Sequence, residues 1–524
     1  MIVATQPKIS LSLDASDTTI MHRVGMTGLY MTLKRLEQKF PDSRNRAGHL
    51  SWLLTPDTIE LFWAGSDVVA LSWLMQESFQ LDDRGLIQLA GLENDAMELE
   101  QKIHIHEGIC AIFLRHNKFY KAGNQAKTKL TVESQEVEYQ YKPLLWYAHQ
   151  TFAQHLCEIN TQQLKQDYLQ FTSWLYLGGV VRHAMLEKVT KLEAKPEYAF
   201  ALLFVPVVCH YWLLHFPSED LKERKPHRYL VVIPEVNNFE EASQRRWRLQ
   251  QLAVKQLHVS SIEEAGLLYY SLDEVQQDDN YYQACQVWLY EKMNKMSHQR
   301  TVMSIKEIDI DKDILITYQV VQQQFQPNYQ HINSKKNLIT VNSIRSLIAE
   351  NLVRGLPWWS NFWEKLIVED SKGYLFKQLL YNRRGVKFMV EGSEQKEKCL
   401  TFVNVFQHAM SVYFAKVYAK TDKGKEAPIE KRVERLRAEL NCCYDELSFQ
   451  QYLADFLARG GLNEYFYENK DRVLLIIEEV SWKKLRVWSL LAIASYKPKE
   501  KHTNTNENSS PDTQKLEGVN DESE

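Results

Sequence analysis

An acid–histidine pattern, an acid–lysine pattern and several basic stretches are the residues of this chain whose types and spacing could do chemistry. His104-x-His106-Glu107 offers two imidazoles and a carboxylate within four residues, the start of a metal site or of a zinc deaminase centre. A deaminase would complete that centre with a downstream PCxxC, which the sequence lacks. QKIHIHE reads as a strand, in which Ile103 and Ile105 alternate with the histidines and both imidazoles share a face with no metal required. Asp57 with Glu100-x-Lys102 is a loose nuclease pattern, two carboxylates for a divalent ion beside a lysine. Acidic-x-Lys triplets recur here, as at Glu394-Gln395-Lys396, and nothing marks a further carboxylate as part of the set. Walker A, GxSxG and HExxH motifs do not occur. No catalytic residue, metal ligand or cofactor is assigned, and the expectation is a chain that is not an enzyme.

The basic stretches point elsewhere. Arg44, Asn45, Arg46 and His49 lie in a polar loop after the first helix, and Arg and Asn can each make paired hydrogen bonds to a base edge. Asn124, Gln125, Lys127 and Lys129 form a second such loop. Arg245, Arg246 and Arg248 lie on a helix with Trp247. Residues 335–390 carry ten Lys or Arg against four Asp or Glu, among them Lys335, Lys336, Arg383, Arg384 and Lys387. The same stretch holds Trp358, Trp359, Phe362 and Trp363, which read as core because large aromatics usually bury their area. A last run comprises Lys416, Lys420, Lys423, Lys425, Lys431, Arg432 and Arg435. Accessible Lys and Arg suffice to neutralise a phosphate backbone, so these are the nucleic-acid backbone candidates. The bland alternative for each is a solvated face.

The elements that would position these residues follow from patterning. At 524 residues, two to four domains are expected. The formal net charge of −4 resides in residues 501–524, an acidic tail rich in Asn, Ser and Thr that reads as disordered, so the body is near neutral. Seven scattered cysteines without a CxxC pair argue against a disulfide framework and for a reducing, cytoplasmic setting. The 20 uncharged residues 198–217 are split by Pro206 and punctuated by His210 and His215, so they read as buried core segments, not a membrane span. A helix is expected over Met21–Phe40, strands at 51–54, 58–63 and 228–236, and a helix capped by Asn238 with Glu241 three residues on. Beyond residue 340 helices are expected at 341–353, 374–389, 396–420, 428–442, 446–459 and 469–495, with Pro428 at a start and Gly460–Gly461 at an end. The expected fold is an α+β N-terminal region followed by an all-α C-terminal helical bundle. The expected divisions are 1–335, a basic helical connector 336–390, the bundle 391–500 and the tail 501–524.

Gly25 and Gly28 share a face of the first helix, where glycine costs helix stability unless another backbone must come close. The opening Met21-His22-Arg23-Val24-Gly25-Met26-Thr27-Gly28-Leu29-Tyr30, the segment WLLTPDTIELFW and the segment RYLVVIPEVNNFEEA (228–242) together resemble the large subunit of type I CRISPR effector (Cascade) complexes, MYXAN subtype. The resemblance covers most of residues 20–490 and rests on structural motifs. It implies a subunit at the foot of a guide-RNA ribonucleoprotein that inspects a short motif on double-stranded DNA, wedges the duplex open and helps hold the displaced strand. The implied partners are guide RNA, target DNA, the backbone, handle-binding and small subunits, and a helicase-nuclease or, in transposon-encoded relatives, a transposition adaptor. It also implies that the C-terminal bundle can be made separately from an internal start, for which Met389 is the candidate. No family motif fixes the motif-reading residues, so the two loops are chosen on position and side-chain type. The rival expectations are a metal-dependent nuclease using Asp57, Glu100 and Lys102, and a protein-binding helical scaffold whose basic faces serve solubility.

Overall fold

The computed structural model describes residues 6–93, 97–115, 117–132, 135–171, 192–215, 228–274, 281–295, 298–326, 328–331, 337–340, 342–370, 373–392, 396–419, 429–460 and 464–497. The chain divides into two compact units, Met1–Met389 and Val390–Glu524. Lys335, Lys336, Lys420, Lys423, Lys425, Pro428, Gly461 and the acidic tail lie outside the described residues.

The first unit begins with strand β1 (Ile9–Ser12), helix α1 (Ile20–Lys39), and the hairpin of β2 (Ser51–Leu54) and β3 (Thr58–Phe62). The three strands form a sheet in the order β1-β3-β2. Buried Ile59 and Leu61 of β3 alternate with half-buried neighbours, the period-2 pattern of a sheet with one face on the core. Helix α1 is largely buried from Met21 to Leu33 and again at Leu36, while Lys34, Glu37, Gln38 and Lys39 are exposed. A Cβ on Gly25 would stand 2.4 Å from the Ala201 carbonyl oxygen, and one on Gly28 would stand 2.1 Å from that of Phe204. The expected backbone approach is therefore real, and its partner is the apolar run. That run folds as the helix Pro196–Leu202, the turn Val205–Val208 and the strand His210–Leu214, all buried. Among the described residues no helix is long and apolar enough to cross a membrane.

A five-stranded sheet follows, in the order His258–Val259, His210–Leu214, Arg228–Pro234, Tyr282–Lys295, His298–Asp311. Neighbours run antiparallel except the first pair. Tyr211, Val231 and Trp288 stand in register and join the core that contains α1. The opposite face meets the helix Ile262–Tyr270, where a Cβ on Gly266 would touch Ile308, Cys285 and Val287. Covered on both faces, the strand 228–234 needs a continuous apolar run, which is what its sequence shows. The helix Phe239–Gln250 follows, with Asn238 accepting from the backbone of Glu240 and Glu241 as expected.

Two expectations are corrected here. QKIHIHE is not a strand: Glu98 and Gln101 cap a helix, Leu99–Ile112, that carries it. A four-residue alternation is too short to outweigh a 14-residue helical segment whose Gly108 fits under the Tyr211 ring. The segment 374–389 is two helices, Tyr374–Tyr381 and Arg383–Gly392, meeting at Asn382.

The second unit is helical throughout its described residues: Lys396–Ala419, Ile429–Asn441, Glu446–Arg459, Glu464–Glu479 and Trp482–Ser495. The predicted helix 469–495 is thus a pair, broken at Ser481, whose extended backbone caps the second member. Phe402, Val403, Phe406, Met410 and Phe414 line the buried face of the first helix as expected. Phe406 stacks on Phe456 at 4.3 Å, and Gly460 lets the third helix end against Ala409. The last helix is buried from Leu485 to Ser495 and packs against the first three helices of the unit. An α+β region followed by a helical one is the observed architecture.

Candidate nucleic-acid interface

The loop after α1 is a pair of single 3-10 turns, Ser43–Asn45 and Ala47–His49. Asp42 caps the first, accepting from the Arg44 amide at 2.9 Å. Gly48, at φ 66°, lets the second reverse direction, and its carbonyl accepts from Ala64 at 2.7 Å. His49 is also left-handed, at φ 53°. Arg46 is the keystone of this tip. Its Nε and Nη2 donate to the Phe40 carbonyl at 2.9 and 2.6 Å, its Nη1 donates to that of Leu50 at 3.2 Å, and the guanidinium lies 3.9 Å from the Trp52 ring centre. It is 6% exposed, so its expected role in reading bases is corrected: Arg46 is structural. Arg44, Asn45 and His49 remain exposed around it. The Arg44 side chain forks onto Asp42 through Nε and Nη2, and that pairing holds the Asp42 carboxyl down to about 2.

The second predicted loop is largely a hairpin, Ala126–Val132 with Gln135–Tyr141. Lys127 pairs with Glu138 at 2.9 Å and Lys129 with Glu136 at 2.8 Å, each diagonally across the strands, two residues from its direct register partner. Gln125 donates to Gln140, and exposed Asn124 precedes the first strand. The acids opposite the lysines were the missed signal: the EVEYQY alternation places Glu136 and Glu138 on the lysine face. What anchors this hairpin is the pattern that read as a metal site. Tyr139 and Tyr229 both donate to Glu107 Oε2, at 2.7 and 3.0 Å. His106 Nδ1 accepts from the Ile87 amide at 3.1 Å, so Nε2 carries the proton toward the Lys142 carbonyl at 3.0 Å. His104 Nε2 donates to the Tyr211 carbonyl at 2.8 Å. Burial lowers the His106 pKa, consistent with a neutral hydrogen-bonding ring. Among the described residues no cluster of three or more His, Cys, Asp or Glu could hold a metal. Asp57 sits in the β2–β3 turn accepting from the Thr55 hydroxyl, and Glu100 lies in the first turn of the helix Leu99–Ile112.

The arginine helix is corrected too. Arg245 is buried in a forked pair with Asp273, which also accepts from Arg248. Arg246 is 1% exposed, donates to the Val207 carbonyl, and borders a small cavity with His104, His210 and Gln250. Neither Arg245 nor Arg246 can meet phosphate; Arg248 is half-exposed. Trp358, Phe362 and Trp363 are core, as expected. Arg383, Arg384 and Lys387 are exposed on the helix Arg383–Gly392. Two exposed aromatics, Tyr381 and Phe388, stand among them. Their spacing of three and four residues from Arg384 was legible in the sequence. In the second unit Lys416 is exposed and reaches the Arg459 carbonyl, Arg432 is buried, and Arg435 pairs with Glu439.

The chain matches the DevT N-terminal domain over residues 10–203 and the DevT C-terminal domain over residues 391–524. It is similar to the CRISPR-associated protein Cas8a1/Csx13 of Myxococcus xanthus (strain DK1622), 22% identical over 527 residues that cover 94% of this chain and 89% of that relative.

Proposed function

We propose, from the premise that this chain carries both DevT domains and resembles the large subunits of type I CRISPR effector complexes, that it is the non-catalytic large subunit of such an RNA-guided surveillance complex. In this reading it senses a short motif on duplex DNA, nucleates opening and recruits a helicase-nuclease or a transposition adaptor. Guide pairing then supplies most of the sequence choice. The observation that carries the motif-sensing step is the tip 42–49. Its backbone is braced by Arg46, Asp42 and Gly48 while Arg44, Asn45 and His49 project from it. A base-reading group must be held before contact, because ordering it during binding costs affinity. Asp42 restrains the Arg44 fork through two nitrogens, and Nη1 is the group offered to a guanine edge. Asn45 offers the paired donor and acceptor that suit adenine.

The hairpin 126–141 takes a different part. Its lysines face carboxylates, so the surface is nearly neutral and suits a neighbouring protein subunit better than phosphate. The test is salt-dependent binding of the chain, assembled with guide RNA and backbone subunits, to duplexes with randomised flanks. A short flanking motif should be enriched, and Arg44→Ala or Asn45→Ala should abolish the enrichment while leaving non-specific affinity within a few-fold. Enrichment that survives both substitutions would move recognition off this tip, and absence of DNA binding by the assembled complex would refute the functional reading.

A further inference from the structure

Arg246 carries a charge that no carboxylate answers. It sits on the buried side of the helix Phe239–Gln250 and, among the described residues, forms no ion pair, whereas its neighbour Arg245 is matched by Asp273. Its Nε donates to the Val207 carbonyl at 3.1 Å, and its Nη1 is buried with no hydrogen-bond partner. The cavity it borders is also lined by His104, His210 and Gln250, with apolar wall from residues such as Leu249 and Leu257. His210, on the strand His210–Leu214, brings a second unpaired set, because both its ring nitrogens are buried and bonded to nothing. Burial, and after it the Arg246 charge, pushes the His210 pKa well below the usual value, so the ring is neutral and has one N–H to give. His104 is committed through Nε2 to the Tyr211 carbonyl. The cavity measures about 20 Å³, room for one monatomic ion or one water and too little for phosphate or sulfate.

We propose that this cavity is a buried halide site, in which a chloride ion accepts from Arg246 Nη1 and from the N–H of His210. The site goes beyond the nucleic-acid reading and does not depend on it. A guanidinium cannot shed its proton to escape burial, so a buried one without a counter-charge is costly. A water would satisfy Nη1 and leave the charge unanswered, whereas chloride answers both. Gln250 Oε1 is an unpaired acceptor, held in that orientation because the amide nitrogen donates to the Leu92 carbonyl at 2.7 Å. Its partial negative charge confines the ion to the side of Arg246 and His210. There the ion ties the helix 239–250 to the strand 210–214. Since the site exists only in the folded chain, chloride adds stability in proportion to the logarithm of its concentration.

The test follows the thermal midpoint of the full-length chain in sodium chloride, sodium bromide and sodium gluconate at constant ionic strength. Chloride and bromide should raise the midpoint over gluconate, by about 1–3 °C for each tenfold rise above the dissociation constant. Arg246→Met should remove that halide increment and His210→Phe should shrink it. Arg248→Gln, which changes a half-exposed cation on the same helix, should keep it. In crystals grown in bromide, an anomalous-scattering peak should lie beside Arg246 and His210. A halide increment equal in wild type and Arg246→Met would mark surface ion effects and overturn the proposal. A midpoint indifferent to the anion, or a bromide crystal with no peak in the cavity, would leave a structural water only and overturn it as well. The wild-type midpoint and the crystal decide the question even if Arg246→Met does not fold.

Discussion

Arg44 and Arg46 are two residues apart, carry the same guanidinium and have opposite fates. Arg46 turns inward onto two carbonyls and an indole, and Arg44 turns outward onto one carboxylate. Arg46→Ala removes a buried charged donor set and leaves the Phe40 and Leu50 carbonyls without their partner, so it should destabilise the first unit by about 2–4 kcal/mol. Arg46→Lys should recover little of that, because an ammonium cannot span two carbonyls as a fork does. Arg44→Ala should change stability by less than about 0.5 kcal/mol. Urea denaturation separates the two, and equal effects would remove Arg46 from its bracing role. The residue types at the tip were legible in the sequence, but which arginine faces out was not, because that depends on where the end of α1 and the start of β2 place their carbonyls. The same limit hid Arg245 and Arg246, whose burial is decided by Asp273 and Val207, 28 and 39 residues away.

At the scale of elements, amphipathic helices and continuous apolar strands were the legible part. α1, the β2–β3 hairpin, the strand 228–234 and most C-terminal helices stand where periodicity and caps put them. Short alternations were not legible: IHIH has the period of a strand over four residues and sits inside a helix. The use of Glu107 was hidden for a similar reason, since both tyrosines that donate to it come from distant strands. Glu107→Leu deletes that shared acceptor and leaves two half-buried or buried hydroxyls to find another. A loss of about 1–3 kcal/mol is expected, together with faster amide exchange in the 126–141 hairpin than elsewhere in the first unit. Hydrogen-exchange mass spectrometry reads this directly, and unchanged hairpin protection would show that other contacts hold it.

Across the whole molecule, the division between Met389 and Val390 coincides closely with the start of the matched C-terminal domain at 391. A polypeptide beginning at Met389 should therefore fold alone as a cooperative helical unit, seen as a single thermal transition in circular dichroism; a non-cooperative melt would deny it independence. Stability of the full chain should also depend on acid. Burial lowers the His22 pKa to about 4 and that of His149 to about 3, below the value of about 6.5 in an unfolded chain. The unfolded chain then takes up protons first, so stability is full above pH ~6.5 and falls as pH drops toward 4, by up to about 1.4 kcal/mol per pH unit for each ring. The urea midpoint followed over that range should decline, and His149→Phe should flatten the decline if it folds.

The contact of Gly25 with Ala201 also sets a clock. Helix α1 leaves the ribosome well before the backbone that fits its glycine face, which follows about 175 residues later. At roughly 5–20 residues per second, translation leaves that face unpartnered for about 10–35 s. A nascent chain stalled before residue 201 should consequently be held by chaperones or aggregate, and one extended past residue 208 should be released soluble.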